Sequence, residues 1–580
     1  MFEEIVGRLR EIKNITRQMV DGKGYTTTKL FIAEVPYVKY ININLGKLSI
    51  INTIRNNIYL LTEVIDVVPS HRLYMEINDI KDRKEREEKL KVIENSFYQS
   101  NSDDVWLDVY LVPTNYLLII ENNSFKVKKG YEAPILGSVV RFLNDEAYVN
   151  LIGSKNGVPI GKVLNSRYYI PIDIIKAIRY HIGIFGFTGT GKSNLISILT
   201  RKILNYTNSI KIVIFDVSLE YSILLLDLLV NQNSLVLTTD KIPRSSNEFG
   251  KRFVRTHVIP NELLSKKDTI KSLAEKLYSN NKIKRIEVPV LEEKYMTYNS
   301  LIKFIKEQLE EKYLSTSYKP LLYLFLKKLE EFMIKKNLSG EDIVDDSIAE
   351  LLNEMESIAR ELRIRENTSF LTFISTLKAY SSLAISTIED ENLLDIENLA
   401  IQILEDDLES PRIVIIETTS VDDARIISYN LLNEIFRRRK KSYSTDQLLF
   451  IFDEAQEFIP YDTRGKEGSE LSSIAIENLL RHGRKYYMNG VIATQRLAYL
   501  NTNVLQQLHT YFVGTLPRPY DRQLIADTFG INENIIERTL GLEAGQWLLL
   551  SFKSALPHDI PIFIEVENNI EELKNYLEKL

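Results

Sequence analysis

The alternation of apolar and polar residues predicts a β-rich N-terminal domain. From about residue 29 to residue 175, apolar and polar positions alternate within runs separated by turn signals, which is typical of strands with one buried face. These runs are KLFIAEVPYVKYININL, VWLDVYLVPTNYLLIIE, PILGSVVRFLNDEAYVNLIG and VPIGKVLNSRYYIPI. The opening MFEEIVGRLREIKN predicts a short amphipathic helix, and the charged IKDRKEREEKLKVIENSF predicts a solvent-exposed helix. We therefore predict that residues 1–178 form a small β-barrel preceded by a helix.

The pattern changes near residue 179 to short, fully apolar runs that are each followed by a helical pattern. Such runs are typical of a parallel sheet that helices cover on both faces. They are YHIGIFG, IKIVIFD, PRIVIIE, QLLFIFDE, NGVIATQ and YFVGTL. Residues 262–405 are rich in Leu, Lys and Glu at helical spacing, which predicts a helical subdomain inserted into the sheet domain. The sheet domain then comprises residues 179–261 and 406–560.

The last segment, residues 561–580, predicts a C-terminal helix. Its apolar residues recur at helical spacing, so they form one stripe that docks on the rest of the protein. The stripe consists of Ile570, Leu573, Leu577 and Leu580.

Composition narrows the chemistry available to this chain. The 580 residues include no cysteine and six histidines, which excludes disulfides, thiolate metal sites, iron–sulfur clusters and cysteine nucleophiles. The net charge of −6 argues against a protein that is basic over its whole surface, so nucleic-acid binding would require a local basic surface such as a pore lining. No apolar run approaches the roughly eighteen residues of a membrane span, and the first residues lack the features of a secretory signal. We therefore expect a cytoplasmic protein.

The stretch GFTGTGKS has the spacing of a phosphate-binding P-loop. The apolar HIGIF precedes it and the helical NLISILTRKIL follows it, which is the context that the motif requires. Glycines let the backbone wrap around phosphate, so that N–H groups and a helix N-terminus face the negative charge. Lys192 would reach the β and γ phosphates of ATP, and the Ser193 hydroxyl would bind Mg²⁺. The predicted nucleotide-binding residues are Gly186, Thr188, Gly189, Thr190, Gly191, Lys192, Ser193 and Asn194.

Two acidic residues follow a buried strand in LLFIFDEAQ. Asp453 lies at the carboxyl end of that strand, where ligands bind in open α/β sheets, and it would complete the Mg²⁺ site with Ser193. Glu454 is placed to polarise the attacking water as a general base; the alternative is a surface acid, since acids are common at strand ends. With the P-loop, these residues predict an α/β fold with a RecA-like P-loop ATPase core, a mainly parallel sheet, and a site for ATP and Mg²⁺.

Two further strand ends carry polar candidates. Gln495 follows the strand GVIAT, where it would sense the γ-phosphate as a catalytic residue; the alternative is an ordinary amide satisfied by backbone groups. Asp216 ends the strand IKIVIFD, with Glu220 and Tyr221 in the turn after it. Either Asp216 supports the same site from a neighbouring strand, or it caps the next turn.

Taken together, these segments resemble the HerA family of hexameric P-loop ATPases in the HerA–FtsK group. The resemblance is carried by HIGIFGFTGTGKSN, IFDVSLEY, FIFDEAQEF, RHGRKYYMNGVIATQR and LEAGQWLLLSF, in this order after the predicted barrel. It implies a homohexamer, assembled with help from the barrel, that translocates duplex DNA and works with a NurA nuclease in resecting DNA ends. The chain departs from the family at Val217, Ser218 and Leu219, where a His-Gly pair is usual before EY, and in the long interval between Lys192 and Asp453.

The resemblance also implies a catalytic role for Arg481 and Arg484 in RHGRK. In ring ATPases of this kind, arginine from the neighbouring subunit stabilises charge on the γ-phosphate, and such residues are worth a factor of about 10³ or more. Three residues apart on a helix, both would lie on one face and point across one subunit interface. The alternative is an ion pair with a local carboxylate such as Glu477. Of the two, we favour Arg484.

Three basic sites are candidates for sequence-independent contacts with DNA phosphates. They are FRRRKKS at residues 436–442, NKIKR at residues 281–285, and Arg518. The first equally suits a helix end whose cations face the helix dipole. Two alternatives to a DNA translocase stay open: a related ring motor that moves protein or single-stranded DNA, and a nucleotide-gated scaffold for an associated nuclease. The sequence contains no convincing nuclease motif, so cutting would require a partner.

Overall fold

The chain folds into two compact units. The computed structural model describes residues 2–18, 25–37, 43–77, 80–98, 104–121, 124–289, 297–310, 318–336, 338–340, 342, 344, 346–361, 370–371, 373–375, 377–378, 393–405, 407, 410–442, 444–552 and 554–580. The larger unit comprises Met1–Ile283 and Leu399–Leu580, and the smaller unit comprises Lys284–Asn398. The larger unit contains an N-terminal sheet and a second, longer sheet.

The N-terminal sheet contains seven antiparallel strands. They are β1 (Phe2–Gln18), β2 (Tyr25–Pro36), β3 (Leu48–Asn52), β4 (Ile58–His71), β5 (Val105–Glu121), β6 (Ser124–Lys129) and β7 (Val139–Leu143). They pair in the order β2, β1, β7, β3, β4, β5 and β6, and β5 also pairs with β2. The pairings therefore run through six strands and return to the strand at which they began. A buried apolar cluster that includes Leu9, Phe31, Val64 and Leu111 packs against these strands.

The predicted leading helix is wrong, because Phe2–Gln18 forms strand β1. β1 pairs with β2 along one edge and with β7 along the other. From Val6 to Arg10, exposed and buried residues alternate strictly, with Gly7 and Leu9 buried. That period of two is the period of a strand. Pairing on both edges and burial of one face outweigh the helical pattern of the charged residues.

Two helices interrupt the N-terminal sheet between β4 and β5, and a third follows β7. They are α1 (Tyr74–Ile77), α2 (Arg83–Tyr98) and α3 (Asp145–Ile152). The predicted solvent-exposed helix is confirmed, because none of the described residues of α2 is buried. α3 lies in a stretch that predicted a strand; the side chain of Asn144 accepts a hydrogen bond from the N–H of Ala147 and so begins a helix. The predicted strand run through residues 38–42 lies outside the described residues.

The longer sheet contains the predicted parallel strands. The remaining strands are β8 (Val158–Val163), β9 (Tyr169–Ile172), β10 (Ile182–Phe185), β11 (Ile210–Asp216), β12 (Ser234–Thr238), β13 (Ile283–Ile286), β14 (Leu393–Leu394), β15 (Ile413–Glu417), β16 (Gln447–Phe452), β17 (Met488–Thr494), β18 (Thr510–Val513), β19 (Gln546–Ser551) and β20 (Ile562–Val566). Within the larger unit their order is β12, β15, β11, β16, β17, β10, β18, β19, β20, β8 and β9. Pairs from β12 to β18 are parallel, and pairs from β18 to β9 are antiparallel. The six apolar runs that we predicted as strands are all strands here.

The remaining helices connect these strands and form most of the smaller unit. They are α4 (Ile174–Arg179), α5 (Lys192–Tyr206), α6 (Tyr221–Leu224), α7 (Leu226–Asn231), α8 (Ser246–Thr256), α9 (Lys267–Ser279), α10 (Tyr298–Glu310), α11 (Tyr318–Lys336), α12 (Ala349–Glu361), α13 (Ile396–Leu404), α14 (Val421–Lys441), α15 (Ser469–His482), α16 (Thr502–Leu505), α17 (Pro519–Phe529), α18 (Glu533–Glu537) and α19 (Asn569–Glu578). Short 3-10 helices lie at Asn261–Lys266, Asp346–Ile348, Ala455–Glu457, Gly483–Tyr486, Leu497–Tyr499 and Arg538–Gly541. Of the helices described, none has the length and apolar character needed to cross a membrane.

Two predicted boundaries around the longer sheet are wrong. The strands β8 and β9, which we assigned to the N-terminal barrel, pair with each other and with β20 in the longer sheet. Residues 561–580 are not a single helix, because β20 precedes α19. The apolar stripe of α19 docks as predicted through the buried Leu573 and Leu577, with Ile570 packed against the same core, whereas Leu580 is exposed.

The smaller unit has an apolar core of its own. Helices α10, α11 and α12 contribute buried residues to it, among them Tyr298, Phe325 and Met355. The predicted helical insertion is therefore present, but the compact unit spans residues 284–398 rather than 262–405. Residues 262–283 belong to the larger unit, because α9 packs its apolar face into the core of that unit. Residues 379–392 of the predicted insertion lie outside the described residues.

Candidate functional site

The phosphate loop connects the buried strand β10 to helix α5. β10 lies between β17 and β18 and pairs in parallel with both. Gly189 and Gly191 take φ values of +88° and +92°, which residues with a side chain rarely adopt. A Cβ on Gly186 would lie 2.6 Å from Oγ1 of Thr190. The path of the loop therefore depends on all three glycines.

The start of α5 presents hydrogen-bond donors to the loop. Gly191 is the N-cap residue, and in the described structure no side chain caps the helix. The first N–H groups of α5 are consequently available to an anion. Lys192 is buried, and its Nζ donates to the carbonyl oxygen of Gly186 at 3.3 Å. Ser193 follows in the same turn, so the loop, the ammonium group and the hydroxyl lie together as the P-loop motif predicts.

Asp453 is held at the carboxyl end of β16 by two hydrogen bonds. The Tyr221 hydroxyl donates to Oδ2 of Asp453 at 2.7 Å, and the N–H of Glu454 donates to Oδ1 at 2.9 Å. Asp453 is 5% exposed, and burial raises the pKa of its carboxyl to about 6 although the bond from Tyr221 opposes the rise. A buried carboxylate gains from a nearby cation, because the cation replaces the solvation that burial removes. This environment suits the predicted metal-ligand role of Asp453.

Glu454 has an unusual backbone conformation beside Asp453. Its φ of +48° lies in the left-handed region, where strained non-glycine residues cluster at functional sites. Two side-chain amides hold its carboxylate: Nε2 of Gln456 donates to Oε2 at 2.7 Å, and Nε2 of Gln495 donates to Oε1 at 3.1 Å. Thr494 in turn donates to Oε1 of Gln456 at 2.5 Å. The carboxylate is therefore fixed in orientation.

Gln495 bridges Glu454 and the phosphate loop. It follows β17, the neighbour of β10 in the sheet. Its Nε2 donates to Glu454, and its Oε1 accepts a hydrogen bond from the Thr188 hydroxyl. Side chains bind this amide at both ends, so the alternative in which backbone groups satisfy it is wrong. A γ-phosphate in the loop would lie beside an amide that also contacts the candidate general base.

The turn after β11 positions Tyr221. Oδ1 of Asp216 accepts the N–H of Ser218 at 3.0 Å, and its Oδ2 accepts the N–H groups of Glu220 and Tyr221 at 2.9 and 2.8 Å. Asp216 therefore caps the turn, which was the second of its two predicted roles. By fixing the turn, Asp216 also positions the Tyr221 hydroxyl that donates to Asp453. Asp216 therefore caps the turn and, through Tyr221, also supports the site.

A buried pair next to this turn was not predicted. Nε2 of His257 lies 2.9 Å from Oε1 of Glu417, and Glu417 is in register with Asp216 across β15 and β11. Burial, together with the Glu417 carboxylate, raises the pKa of Asp216 to about 7. Burial alone would lower the pKa of His257, but the Glu417 carboxylate raises it overall. Glu417 was detectable because PRIVIIE, like IKIVIFD, is an apolar strand that ends in an acid; no local pattern indicates His257.

Comparisons with known proteins show similarity to one family. The family described as "Helicase HerA, central domain" matches residues 158–435. The DNA double-strand break repair helicase HerA of Sulfolobus acidocaldarius is 22% identical over 435 residues, covering 74% of this chain and 73% of that protein. The protein of the same name from Sulfurisphaera tokodaii is 22% identical over 442 residues, covering 74% and 73%. The chain is therefore similar to HerA helicases, both in the family model and across 74% of its length.

Among solved structures, VirB4 of Thermoanaerobacter pseudethanolicus aligns with a TM-score of 0.38 and 13% identity, over 72% of this chain and 98% of that chain. The first residue of the HerA match is also the first residue of β8. The match therefore begins at the strand that the structure places in the longer sheet.

The two candidate arginines lie in different helices. Arg484 lies in the 3-10 helix Gly483–Tyr486, which follows the end of α15. The prediction that both arginines lie on one face of one helix is therefore wrong. Nη2 of Arg481 lies 3.4 Å from Oε2 of Glu477, which is the local ion pair that formed the alternative. Arg484 is exposed, and its guanidinium lies 5.0 Å from the ring centre of Tyr180.

The side chain of Asn194 binds the C-terminal segment rather than a phosphate. Its Nδ2 donates to the carbonyl oxygen of Glu567 at 2.9 Å, and its Oδ1 accepts the N–H of Asn569 at 2.7 Å. Both polar atoms of this side chain therefore bind the C-terminal segment, and the prediction that Asn194 binds nucleotide stays a prediction.

The densest basic cluster of the chain is largely structural. Arg437 and Arg438, near the end of α14, both bind the carboxylate of Glu434. Arg439 is buried and donates to two backbone carbonyl oxygens beyond the helix at 3.0 and 2.9 Å. These contacts favour the interpretation of residues 436–442 as a helix end over the DNA-binding alternative.

The side chains at this site fit Mg²⁺ and ATP. A hydroxyl from Ser193 and a carboxylate from Asp453 are the hard oxygen donors that Mg²⁺ prefers, and Mg²⁺ usually takes its other ligands from water and phosphate. A Cβ on Gly189 would have no atom within 4 Å, so the loop leaves open space over this glycine. Ser193 and Asp453 are therefore the residues that would hold Mg²⁺, and the loop is the element that would hold the phosphates.

Replacing Tyr221 with Phe should weaken the response to Mg²⁺. The change removes one hydrogen bond from Asp453 and keeps the buried ring. Loss of a partner behind a metal ligand typically costs about 10–100-fold in metal affinity. We expect the Mg²⁺ concentration for half-maximal ATP hydrolysis to rise about tenfold, measured by titrating Mg²⁺ at fixed ATP. Tyr206→Phe, at the exposed end of α5, is the matched control. An unchanged Mg²⁺ requirement in Tyr221→Phe would show that the bond does not position Asp453.

Proposed function

We propose that this chain is a Mg²⁺-dependent ATPase that forms a homohexameric ring and moves duplex DNA through a central channel. The observation that carries the proposal is the set of hydrogen bonds that joins the phosphate loop to Glu454 through Gln495. A phosphate loop alone supports nucleotide binding, whereas an oriented carboxylate beside it supports activation of water and turnover. The relatives are named DNA double-strand break repair helicases, which favours DNA as the substrate. The resemblance to the HerA family implies a NurA-like nuclease as the partner.

In the proposed mechanism, residues of one subunit bind the nucleotide and activate water. Lys192 and the first N–H groups of α5 hold the β and γ phosphates. Mg²⁺ bound by Ser193 and Asp453 would neutralise charge on the phosphate oxygens. Glu454 accepts a proton from the attacking water. Gln495 contacts both Glu454 and the loop, so its position changes when the γ-phosphate leaves.

A second subunit completes the proposed site. Arg484 is exposed, and the aromatic ring of Tyr180 holds its guanidinium without neutralising its charge. Such a residue can stabilise charge on the γ-phosphate of a neighbouring subunit. Identical subunits that meet head to tail close into a ring when the rotation permits. The additional pairing of β2 with β5 supports a small closed barrel at the N-terminus, which we propose as the assembly domain.

Duplex DNA should stimulate the ATPase. A translocating ring contacts DNA phosphates in every cycle, so DNA binding and hydrolysis are coupled. We expect the hydrolysis rate of rings sized in solution to rise severalfold when they are saturated with duplex DNA. Raised salt should weaken that stimulation, and rings of Lys192→Ala supply the background rate. A rate that does not change at any DNA-to-ring ratio would refute the translocase proposal, and stimulation by single-stranded DNA alone would favour the related motor.

A further inference from the structure

A cavity of about 630 Å³ adjoins the phosphate loop. Its volume lies within the range of roughly 300–1,000 Å³ that is typical of small-molecule sites. The β8–β9 hairpin, the first turn of α5, the turn before β19 and the C-terminal segment supply its walls. Residues on these walls include Lys162, Tyr169, Asn194, Gly545, Glu567 and Asn575.

Strand order sets the direction in which a bound triphosphate extends. β16 and β17 lie on one side of β10, whereas β18, β19 and β20 lie on the other. Glu454 and Gln495 follow β16 and β17, so the γ-phosphate belongs on that side. On the opposite side, the N–H of Gly545 donates to the carbonyl oxygen of Thr190 at 3.0 Å, and the cavity begins there. A triphosphate bound across the start of α5 therefore has its γ-phosphate beside Glu454 and Gln495 and its α-phosphate beside the cavity.

The side chains of the cavity suit a ribose and a base. Tyr169 is 37% exposed, and Nζ of Lys162 lies 5.5 Å from the centre of its ring. Every nucleobase has a face that stacks on such a ring. Carboxylates of Glu565 and Glu571 line the same cavity, and carboxylates accept hydrogen bonds from ribose hydroxyls.

The wall formed by the C-terminal segment is held in place from α5. Asn194 makes its two hydrogen bonds to this segment, as described above. Nζ of Lys202 lies 2.9 Å from Oε2 of Glu567, and Nε of Arg201 donates to Oδ1 of Asn569. A pocket whose walls are already connected loses little conformational freedom when a ligand enters.

We propose that this cavity holds the nucleoside half of ATP, with the base against Tyr169 and the ribose hydroxyls facing the carboxylates of the C-terminal segment. The inference rests on the proposed ATPase function, since it concerns the same nucleotide. It gives the β8–β9 hairpin and residues 565–575 a part in nucleotide binding that the P-loop motif does not indicate.

Calorimetric titration with ADP and with pyrophosphate tests this assignment. Both bind the phosphate loop, but only ADP carries a nucleoside. We expect the unmodified protein to prefer ADP, and Tyr169→Ala to weaken ADP binding about tenfold while pyrophosphate binding stays unchanged. Tyr169→Phe keeps the stacking surface and should retain most of the affinity for ADP. Tyr168→Ala is the matched control, because the hydroxyl of that tyrosine accepts a hydrogen bond from Arg167 and the residue lies outside the cavity wall.

Equal affinities of the unmodified protein for ADP and pyrophosphate would overturn the assignment. An equal loss of affinity for ADP and pyrophosphate in Tyr169→Ala would also overturn the assignment. Such a result would show that the substitution damages the phosphate loop rather than a nucleoside site. Neither outcome depends on hydrolysis or DNA. A protein that prefers ADP through Tyr169 but never hydrolyses ATP would refute the proposed function and keep the nucleoside site.

Discussion

Replacing Glu454 with Gln lowers the turnover number for ATP hydrolysis by a factor of about 10²–10⁴ and leaves nucleotide binding intact. The amide has the shape of the carboxylate but cannot accept a proton from water. The neighbouring amides of Gln456 and Gln495 keep a side chain of the same size to contact. Steady-state hydrolysis measures the loss, and calorimetric titration with ADP shows that the site still binds.

Glu470→Gln is the control for this prediction, because Glu470 is an exposed carboxylate in the first turn of α15. It undergoes the same chemical change and should hydrolyse ATP normally. If Glu454→Gln retained the turnover of the unmodified protein, Glu454 would not be the general base. The scaffold alternative would then gain support, since nucleotide binding would be the remaining function of the loop.

Mixing Lys192→Ala subunits with Arg484→Ala subunits restores part of an activity that each variant alone has lost. Each substitution should lower hydrolysis by about 10³-fold or more in a uniform ring. If Arg484 acts on the neighbouring subunit, some sites of a mixed ring pair an intact phosphate loop with an intact arginine. When the two variants are mixed at random in equal amounts, half of the subunits carry an intact phosphate loop and the other half carry an intact Arg484. About a quarter of the sites then combine an intact loop with an intact arginine from the neighbour.

The same mixing with Arg481→Ala distinguishes the two arginines. Arg481 is paired with Glu477, so we expect its loss to lower activity less than the loss of Arg484. Mixed rings must be confirmed, for instance by isolating rings that carry two different affinity tags. Confirmed mixed rings of Lys192→Ala and Arg484→Ala that recover no activity would place the action of Arg484 within one subunit.

The positions of the candidate catalytic residues were predictable because each follows a short apolar strand in the sequence. FIFDE and VIATQ end in polar residues, and carboxyl ends of neighbouring parallel strands meet at one sheet edge. The contacts between those elements were not predictable. The Tyr221 hydroxyl reaches Asp453 from a residue 232 positions away, and no local pattern encodes such a contact. His257 meets Glu417 in the same way, across 160 positions.

The errors in the fold have the same origin. β1 carries enough charged residues to resemble an amphipathic helix, and only pairing with β2 and β7 makes it a strand. The β8–β9 hairpin alternates like the strands of the N-terminal sheet, so its pattern could not show which sheet it joins. Its partner, β20, lies near the other end of the chain. Local periodicity therefore predicted most elements, whereas long-range pairing decided where they belong.

The position of β20 between β19 and β8 has a consequence for synthesis of the protein. Asn194 and Asn569, which hold the first turn of α5 to the C-terminal segment, are 375 residues apart. At about 5–20 residues per second, a ribosome needs roughly 20–75 s to make that interval. During this time the β8 edge that later pairs with β20 has no partner strand, and unpaired edges promote aggregation. A nascent chain thus contains its complete phosphate-loop motif long before the nucleotide site can mature, and that interval is when chaperone protection matters most.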